Sequence, residues 1–395
     1  MKQLHNIILI MSIALIGVMG VSIILPILPR LAHIFELTPT EVGLIITCFS
    51  LPSALFTPVA GIIADLYGRK KILLLGLILF AIGGIGCALS TSFKGLLFCR
   101  AIQGLGAAPL GILYSTIIGD LYKEEERPKM MGIAGATISV GTAIYPALGG
   151  FVGEIHWTLP FWFSLLSLPV AIIALIYPYH YKGTKTSIKD YTKISGKLIF
   201  HSHAIGLLSI TFLCFSILYG PILTYFPLIA NLLYQASPVQ IGITFSIACL
   251  GTATIAINLA QLSKIYSHKK LLIIAASCYF ISQGLVIIIP LQSQNIWLLT
   301  LPIFVLGIAQ GISFPLVNSH ITSLAPSSNR AIVMAINSTF MRLSQSISPI
   351  VFGIGWSFLG WIGPFIFGLF TSIILAILIM KVFSRDNPIS PIFDN

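Results

Sequence analysis

The chain has 395 residues, of which 56% are hydrophobic and only 8% are charged, and its mean hydropathy is +0.99. Soluble domains carry about 25% charged residues, so this composition excludes an ordinary water-soluble fold. Lys and Arg outnumber Asp and Glu by 22 to 11, and the six cysteines lie in apolar runs without CxxC spacing, which excludes a zinc module or a disulfide scaffold.

About twelve apolar runs, each near the ~20 residues that cross a bilayer, predict an all-α membrane protein with twelve transmembrane helices. They fall at about 6–28, 41–64, 72–91, 96–119, 130–153, 158–178, 204–227, 238–261, 271–291, 296–320, 331–354 and 360–381. The first run has no small-residue cleavage site and is interpreted as a membrane helix. Most Lys and Arg residues lie between alternate pairs of runs, so the positive-inside rule places both termini in the cytoplasm. The net charge of +11 therefore fits a lipid bilayer as partner and requires no nucleic acid.

The connection between the second and third runs reads Gly61-Ile-Ile-Ala-Asp65-Leu-Tyr-Gly68-Arg69-Lys70-Lys71. Glycines permit a tight turn and a close approach of helices. A carboxylate at this membrane face is able to meet a helix N-terminus, where the helix dipole favours negative charge. The complete pattern at a helix boundary indicates a functional loop, and not only the basic residues that commonly follow a membrane helix.

The fourth run contains Arg100, followed by Gln103 and Gly104. A guanidinium inside a bilayer span is costly, which makes Arg100 a functional candidate. The alternative is a structural arginine that snorkels or pairs with backbone carbonyls.

The fifth run is rich in small residues and has a proline, a composition typical of close packing and a kink. These residues are Gly141, Pro146, Gly149 and Gly150.

Residues 179–203 are polar, contain five lysines and have no apolar run, so they are predicted to form a cytoplasmic linker between helical bundles at 1–178 and 204–395. The sequences of the two parts resemble each other weakly. Arg127 stands 19 residues before Pro146, and Arg330 stands 19 residues before Pro349. Duplicated helical halves place a binding cavity at their interface near the membrane midplane.

Candidate substrate contacts lie near the middle of their runs. Arg342 stands twelve residues into the eleventh run, and a buried cation there suits an anionic group on a substrate. The alternative is a structural arginine paired with polar neighbours. Tyr145 and Tyr219 are the other two candidates. Acidic residues are scarce: Asp120 lies at the inner end of the fourth run, and the first run has none, which disfavours a cationic substrate.

The motifs of runs two to five resemble those of the major facilitator superfamily, and in particular its twelve-helix drug:proton antiporter (efflux) family. The resemblance covers the whole chain and implies two pseudo-symmetric six-helix bundles. It implies gating roles for Gly61, Asp65, Gly68, Arg69, Lys70 and Arg127. It also implies proton coupling through Arg100, Gln103 and Gly104, for which we expect Asp120 to supply the carboxylate. Tyr145 stands where that family has a glycine before the proline of helix five.

The expected function is therefore secondary active export of small organic compounds of the multidrug type, by alternating access and proton antiport. We expect a monomer in the inner (cytoplasmic) membrane that uses no cofactor or metal. The alternative is a carrier or exporter of an anionic metabolite or siderophore-like compound that uses Arg342. The chain has no HExxH, GxSxG or Walker sequence, which disfavours a membrane enzyme or an ATP-driven pump.

Overall fold

A computed structural model describes residues 2–123, 125–176, 196, 201–324 and 330–384. Within these ranges the chain is helical, with short turns between helices and no strand. Eleven stretches of the described residues are long and apolar enough to cross a membrane. The last of them, Ile332–Val382, contains two helices separated by a turn at Gly360–Ile362. The all-α membrane fold is confirmed, whereas the crossing of a bilayer by all twelve helical segments stays a prediction.

We number these segments α1 to α12. The first six are α1 (Lys2–Ser22, Leu25–Ile27 and Leu28–Ile34), α2 (Pro39–Tyr67), α3 (Arg69–Leu89), α4 (Phe93–Leu121), α5 (Arg127–Ile155) and α6 (Leu159–Trp162, Phe163–Leu166 and Ser167–Ile176). The other six are α7 (Ser202–Ile217, Leu218–Tyr225 and Phe226–Tyr234), α8 (Pro238–Ile265), α9 (His268–Gln292), α10 (Ile296–Leu299 and Thr300–Ser323), α11 (Arg330–Leu359) and α12 (Gly363–Val382). Almost all of the predicted linker at 179–203 lies outside the described residues, so the division into two bundles stays a prediction.

The helices α2 and α8 begin with the same local structure. The side chain of Thr38 accepts a hydrogen bond from the Glu41 N–H, while the Glu41 carboxylate accepts one from the Thr38 N–H at 2.8 Å. Ser237 and Gln240 repeat this arrangement, with the Gln240 side chain accepting from the Ser237 N–H at 2.9 Å. Such capping boxes satisfy the unpaired N–H groups of a helix start. The two helices therefore start in the same way.

The packing of α4 on α2 is repeated by the packing of α10 on α8. A Cβ added at Gly104 of α4 would lie 2.1 Å from the Phe49 carbonyl oxygen of α2. A Cβ added at Gly307 of α10 would lie 2.0 Å from the Ala248 carbonyl oxygen of α8. Small residues let membrane helices approach to backbone contact. Two further pairs, α2 with α11 and α5 with α8, join the part of the chain before the linker to the part after it.

Two helices are interrupted at proline-containing segments. In α1 a 3₁₀ turn at Leu25–Ile27 includes Pro26, and in α7 a π-helical segment at Leu218–Tyr225 includes Pro221. Proline removes a backbone donor and bends a helix. Following the predicted topology, we call the face where α1 ends and α2 begins the outer face. The face where α2 ends and α3 begins is the inner face.

Candidate transport site

The helices α2 and α11 are joined by contacts between the midplane and the outer face. Thr47 Oγ1 of α2 donates to the Ser346 carbonyl oxygen of α11 at 2.8 Å. Nearer the outer face, a Cβ added at Gly43 would lie 3.2 Å from the Pro349 carbonyl oxygen. The hydroxyl of Tyr225 in α7 donates to that same oxygen at 2.5 Å. The outer parts of α2, α7 and α11 therefore form one packed unit.

The helices α5 and α8 touch through their backbones at the outer face. A Cβ added at Gly150 would lie 2.3 Å from the Pro238 carbonyl oxygen, and one added at Gly242 would lie 2.3 Å from the Pro146 carbonyl oxygen. A Cβ at Gly149 would lie 1.8 Å from a carbonyl oxygen of α1. The predicted helix-five motif thus forms an outer seal, which we define as the α5–α8 contact around Gly150 and Gly242.

The remaining motif glycine and its neighbour lie deeper in α5. A Cβ added at Gly141 would lie 2.9 Å from the Leu15 side chain of α1 and 3.2 Å from the ring of Tyr145. Tyr145 is half-buried, and its predicted role as a substrate contact stays a prediction.

Toward the inner face, the described glycines of α5 have no close neighbours. A Cβ added at Gly132 or Gly135 of α5 would have no described atom within 4 Å. On α8, Ile257 and Ile265 are 80% and 71% exposed. The close backbone contact between α5 and α8 is thus found at the outer face and not around Gly132 and Gly135.

At the inner face, basic residues of the predicted gating set bond to neighbouring helices. Arg69, the first residue of α3, forms an ion pair with Asp120 at the end of α4 and donates to the Thr116 carbonyl oxygen at 2.8 Å. The chain turns into α3 at Gly68, whose φ of 97° lies in the left-handed region that favours glycine. Lys70 donates to a carbonyl oxygen of α6 at 2.7 Å.

The other gating candidates are placed around the same helix ends. Arg127, the first residue of α5, donates to the Gly119 carbonyl oxygen of α4 at 2.7 Å and so ties the α4–α5 turn. A Cβ added at Gly61 would lie 3.2 Å from the Ile112 side chain, so this glycine allows α2 to approach α4. The side chain of Asp65 lies outside the described residues, and its predicted role is not assessed.

The two residues predicted to take part in coupling, Arg100 and Asp120, lie on the same helix, 20 positions apart, which separates them by roughly 30 Å along its axis. Asp120 belongs to the inner cluster, because its carboxylate pairs with Arg69. The coupling roles of Arg100, Gln103, Gly104 and Asp120 stay predictions.

Arg100 is sealed inside the helices that precede the linker, with no exposed surface. Its guanidinium donates to the Gly20 carbonyl oxygen of α1 at 2.9 Å and to the Ile45 carbonyl oxygen of α2 at 3.2 Å. It also donates to Gln103 Oε1 at 2.6 Å and lies 4.3 Å from the centre of the Phe49 ring. One guanidinium thus connects α1, α2 and α4 through backbone carbonyls, which is the structural role left open by the sequence.

Arg342 lies on the interface between the two parts of the chain. It is twelve residues from the start of α11, roughly 18 Å along the helix and so near the membrane midplane. Its Nη1 donates to Ser53 Oγ of α2 at 2.5 Å. A Cβ added at Gly111 of α4 would lie 1.9 Å from its Nη2, so the guanidinium rests against a bare stretch of α4. Within the described residues, no carboxylate forms an ion pair with Arg342.

Aromatic residues from both parts of the chain surround Arg342. Tyr219 of α7 and Tyr114 of α4 lie within electrostatic range of its guanidinium. The Tyr219 ring stacks on Phe215 at a centroid distance of 6.2 Å, and Phe215 packs edge-on against Phe314 of α10 at 5.9 Å. The predicted pair of Arg342 and Tyr219 is therefore brought together.

Sequence reasoning missed several residues of this site. Ser53, Gly111 and Tyr114 contact or face Arg342 from α2 and α4. Phe215 packs between Tyr219 and Phe314. A signal existed for Phe215, because it stands four residues before Tyr219 and must share its helix face. Ser53 and Gly111 carry no such signal, since small residues are frequent throughout membrane helices.

A helical bundle with internal repeats and a midplane site at the interface of its halves is the architecture of a secondary transporter. The chain belongs to the Major Facilitator Superfamily, whose profile matches residues 10–349 and 234–394. It is a multi-pass membrane protein, and its family and fold point to transport rather than catalysis.

Two curated relatives have names that describe drug resistance. The quinolone resistance protein NorA of Staphylococcus aureus (strain MSSA476) is 26% identical over 349 residues, which are 85% of this chain and 86% of that protein. Multidrug resistance protein 1 of Bacillus subtilis (strain 168) is 30% identical over 184 residues, which are 44% of this chain and 47% of that protein. The crystal structure of a D-xylose-proton symporter superposes with a TM-score of 0.76, covering 98% of this chain and 100% of the symporter. At 15% identity this likeness shows the fold alone.

Proposed function

We propose that the protein exports small organic compounds of the multidrug type by alternating access, coupled to protons as an antiporter. The observation that supports this is the asymmetry of the α5–α8 contact. Its backbones touch at Gly150 and Gly242 near the outer face, whereas open space surrounds Gly132 and Gly135 near the inner face. In this state a compound enters the central site from the cytoplasm, and rocking of two six-helix halves then exposes it to the outside. The names of the relatives also favour drug export.

Proton coupling is proposed to act through the ion pair of Asp120 and Arg69. Protonation of the Asp120 carboxylate removes its charge and weakens the contact between α3 and α4 at the inner face. Arg100 enters this proposal by holding α1, α2 and α4 together, with Gln103 and Gly104 supporting that junction. Through this junction, a movement of the inner end of α4 that follows protonation of Asp120 also moves α1 and α2.

We further propose a monomer in the inner (cytoplasmic) membrane with both termini in the cytoplasm. The distribution of Lys and Arg supports this orientation. Reporter fusions at successive loops test it: alkaline phosphatase is active only outside the cytoplasm. Activity of the reporter after residue 92 and inactivity after residue 68 are expected, and the reverse pattern would overturn the orientation.

The experiment that tests transport uses purified protein reconstituted in vesicles that contain a pH-sensitive dye. Lipophilic cations, neutral drugs and organic anions are added in turn, and substrate-driven proton movement is recorded. We expect proton movement with the wild type and a loss of at least about tenfold in Asp120→Asn, since the amide cannot exchange a proton. Lys94→Gln is the matched control, because Lys94 is an exposed residue at the outer end of α4 and its charge is distant from the cluster. Undiminished proton movement in Asp120→Asn would remove Asp120 from coupling.

A second candidate is a carrier or exporter of an anionic metabolite or siderophore-like compound. The hydrogen bond from Arg342 to Ser53, made without an acidic partner among the described residues, favours it. In the same vesicle experiment, a response confined to organic anions would support this candidate. A response to cations and neutral drugs would support the multidrug exporter.

A further inference from the structure

A cavity of about 310 Å³ lies at the outer face, where α1 meets the end of α7 and the start of α8. Pockets that hold small ligands begin at about 300 Å³, so this volume is sufficient for one. One wall consists of Pro26, Pro29, Arg30 and His33 of α1, and the other comes from the end of α7, the turn after it and the start of α8. We call it the outer cavity. It shares no residue with the site around Arg342.

Arg30 is the only lysine or arginine among the described residues that line the outer cavity. Its Nη1 donates to the carbonyl oxygens of Gly153 at 2.6 Å and Glu154 at 2.8 Å, at the end of α5. These bonds fix the guanidinium and use one of its nitrogen atoms, and no described residue accepts from Nε or Nη2. A guanidinium has five N–H donors in a planar fork. Arg30 is therefore able to bind an anion while it keeps its bonds to α5.

Further polar groups line the outer cavity on both walls. His33 stands three residues after Arg30, so the two share one face of α1, and its side chain is exposed. On the other wall, Gln235 has a φ of 52°, in the left-handed region where a residue other than glycine is uncommon. This conformation ends α7 and places an amide at the cavity. No acidic residue is among the described lining residues, so the charges favour an anion.

The combination of these groups suits a phosphate. An arginine fork binds phosphate through two parallel hydrogen bonds. A phosphate monoester carries more charge and more acceptor oxygens than a single carboxylate, and so has bonds left for the imidazole and the amide. Pro26, Pro29 and Ile241 supply apolar surface for the organic group that the phosphate carries.

The outer cavity is adjacent to the outer seal. Pro238 lines the cavity, and its carbonyl oxygen is the one that Gly150 of α5 approaches in the seal. Arg30 bonds to α5 one turn further on, at Gly153. Because α1 and α5 precede the linker while α7 and α8 follow it, the proposed opening of the outer side would pull the two walls apart. A ligand that contacts both walls binds the closed seal better and thereby stabilises it.

We propose that the outer cavity binds a phosphate group, carried by a soluble phosphate ester or by a lipid headgroup, and that the bound phosphate holds the outer seal closed. The second part rests on the proposed alternating-access function, whereas the binding site itself does not.

Calorimetry with protein in phosphatidylcholine nanodiscs measures binding of glycerol 1-phosphate, with glycerol and empty nanodiscs as blanks. We expect the wild type to bind glycerol 1-phosphate, and Arg30→Gln to weaken binding by at least about tenfold, the loss typical of a charge-assisted hydrogen bond. His33→Gln and Gln235→Gly leave the bonds from Arg30 to α5 intact, and each is expected to weaken binding by about threefold. His156→Gln is the matched control, because His156 is an exposed histidine of the outer face that does not line the cavity.

The lipid source is tested with nanodiscs of phosphatidylcholine and phosphatidylglycerol, from which retained phospholipids are counted by native mass spectrometry. A phospholipid retained by the wild type and lost in Arg30→Gln and His33→Gln would assign the phosphate to a headgroup. Calorimetric binding without such retention would assign it to a soluble ester. Absence of both, or binding and retention that are equal in the wild type and these two variants, would overturn the proposal.

The effect on the seal is measured by double electron–electron resonance with spin labels at the exposed residues Thr91 and Gln294 of the outer loops. The background is Gly242→Ala, whose added methyl group overpacks the seal. Glycerol 1-phosphate, or phosphatidylglycerol in the nanodisc, is expected to raise the ratio of the short to the long distance component by about threefold or more, and to have no effect when Arg30→Gln is added. Arg30-dependent binding without this shift would support the site and refute its hold on the seal. The shift without movement of any compound in vesicles would support both parts of the proposal and refute the transport function.

Discussion

The outer seal offers a substitution that changes one methyl group and has a defined structural effect. In Gly242→Ala, the added Cβ would lie 2.3 Å from the Pro146 carbonyl oxygen of α5. Real side chains do not approach an oxygen this closely, so α5 and α8 must part by about 1 Å at the outer face. The substitution therefore disfavours the inward-open state, in which the outer seal is closed, relative to the outward-open state.

The size of the effect follows from the cost of overpacking, which is about 1–3 kcal/mol for an extra methyl group in a packed interface. Each 1.4 kcal/mol corresponds to about a factor of ten in an equilibrium constant. The ratio of inward-open to outward-open protein is then expected to fall by about 5- to 150-fold.

Double electron–electron resonance measures this ratio directly. Spin labels at the exposed residues Thr91 and Gln294 report the separation of the outer loops before α4 and before α10. The six native cysteines are first replaced, so that only the labels react. A longer distance component is expected to grow in Gly242→Ala. Gly132→Ala is the matched control, because its Cβ would enter open space on the inner half of α5.

One result would refute this reasoning. If Gly242→Ala and Gly132→Ala give the same distance distribution as the wild type, then the backbone contact does not set the balance between the two states. An equal shift in both variants would be as damaging, since it would assign the effect to helix propensity and not to the contact.

Two further substitutions address stability, measured by chemical unfolding in mixed micelles. Arg100→Gln removes guanidinium hydrogen bonds to Gly20 and Ile45 and is expected to lower the free energy of unfolding by about 3 kcal/mol; a change below 0.5 kcal/mol, of the size seen at ordinary surface positions, would contradict its bridging role. Gly68→Ala forces a side chain into the left-handed region at the α2–α3 turn and is expected to cost about 1–3 kcal/mol. Gly119→Ala, which meets open space within a helix, is the control and should change stability little.

The fold was predictable because apolar run length and the placement of basic residues are local features of the sequence. Arg127 begins α5, as the apolar run that follows it predicts. The glycines of the fifth run were predicted to pack closely, and Gly149 and Gly150 do so. The helix that each glycine contacts depends on tertiary packing. Nothing in the local pattern specifies that Gly149 contacts α1 and Gly150 contacts α8.

The site was less predictable, since the decisive property is what surrounds each charge. Arg100 and Arg342 look alike in sequence, each a single cation in an apolar run. Packing encloses the first among backbone carbonyls and leaves the second partly exposed where α11 meets α2. The pairing of Asp120 with Arg69 joins residues 51 positions apart, and no local pattern in the sequence specifies it.

The contrast between the two arginines also bears on how a substrate drives the transition. Arg100 bonds to helices that precede the linker, so the rocking motion proposed above would preserve its interactions. The bond from Arg342 to Ser53 joins α11 to α2, and the proposed opening of the outer side would break it. A hydrogen bond to a charged group is worth about 1.5–3 kcal/mol, which resists opening in the absence of a ligand. A ligand shifts an equilibrium only through its different affinity for the two states. A carboxylate that takes over the Arg342 donors satisfies this condition, because it replaces the Ser53 contact and thereby removes that resistance when substrate is bound.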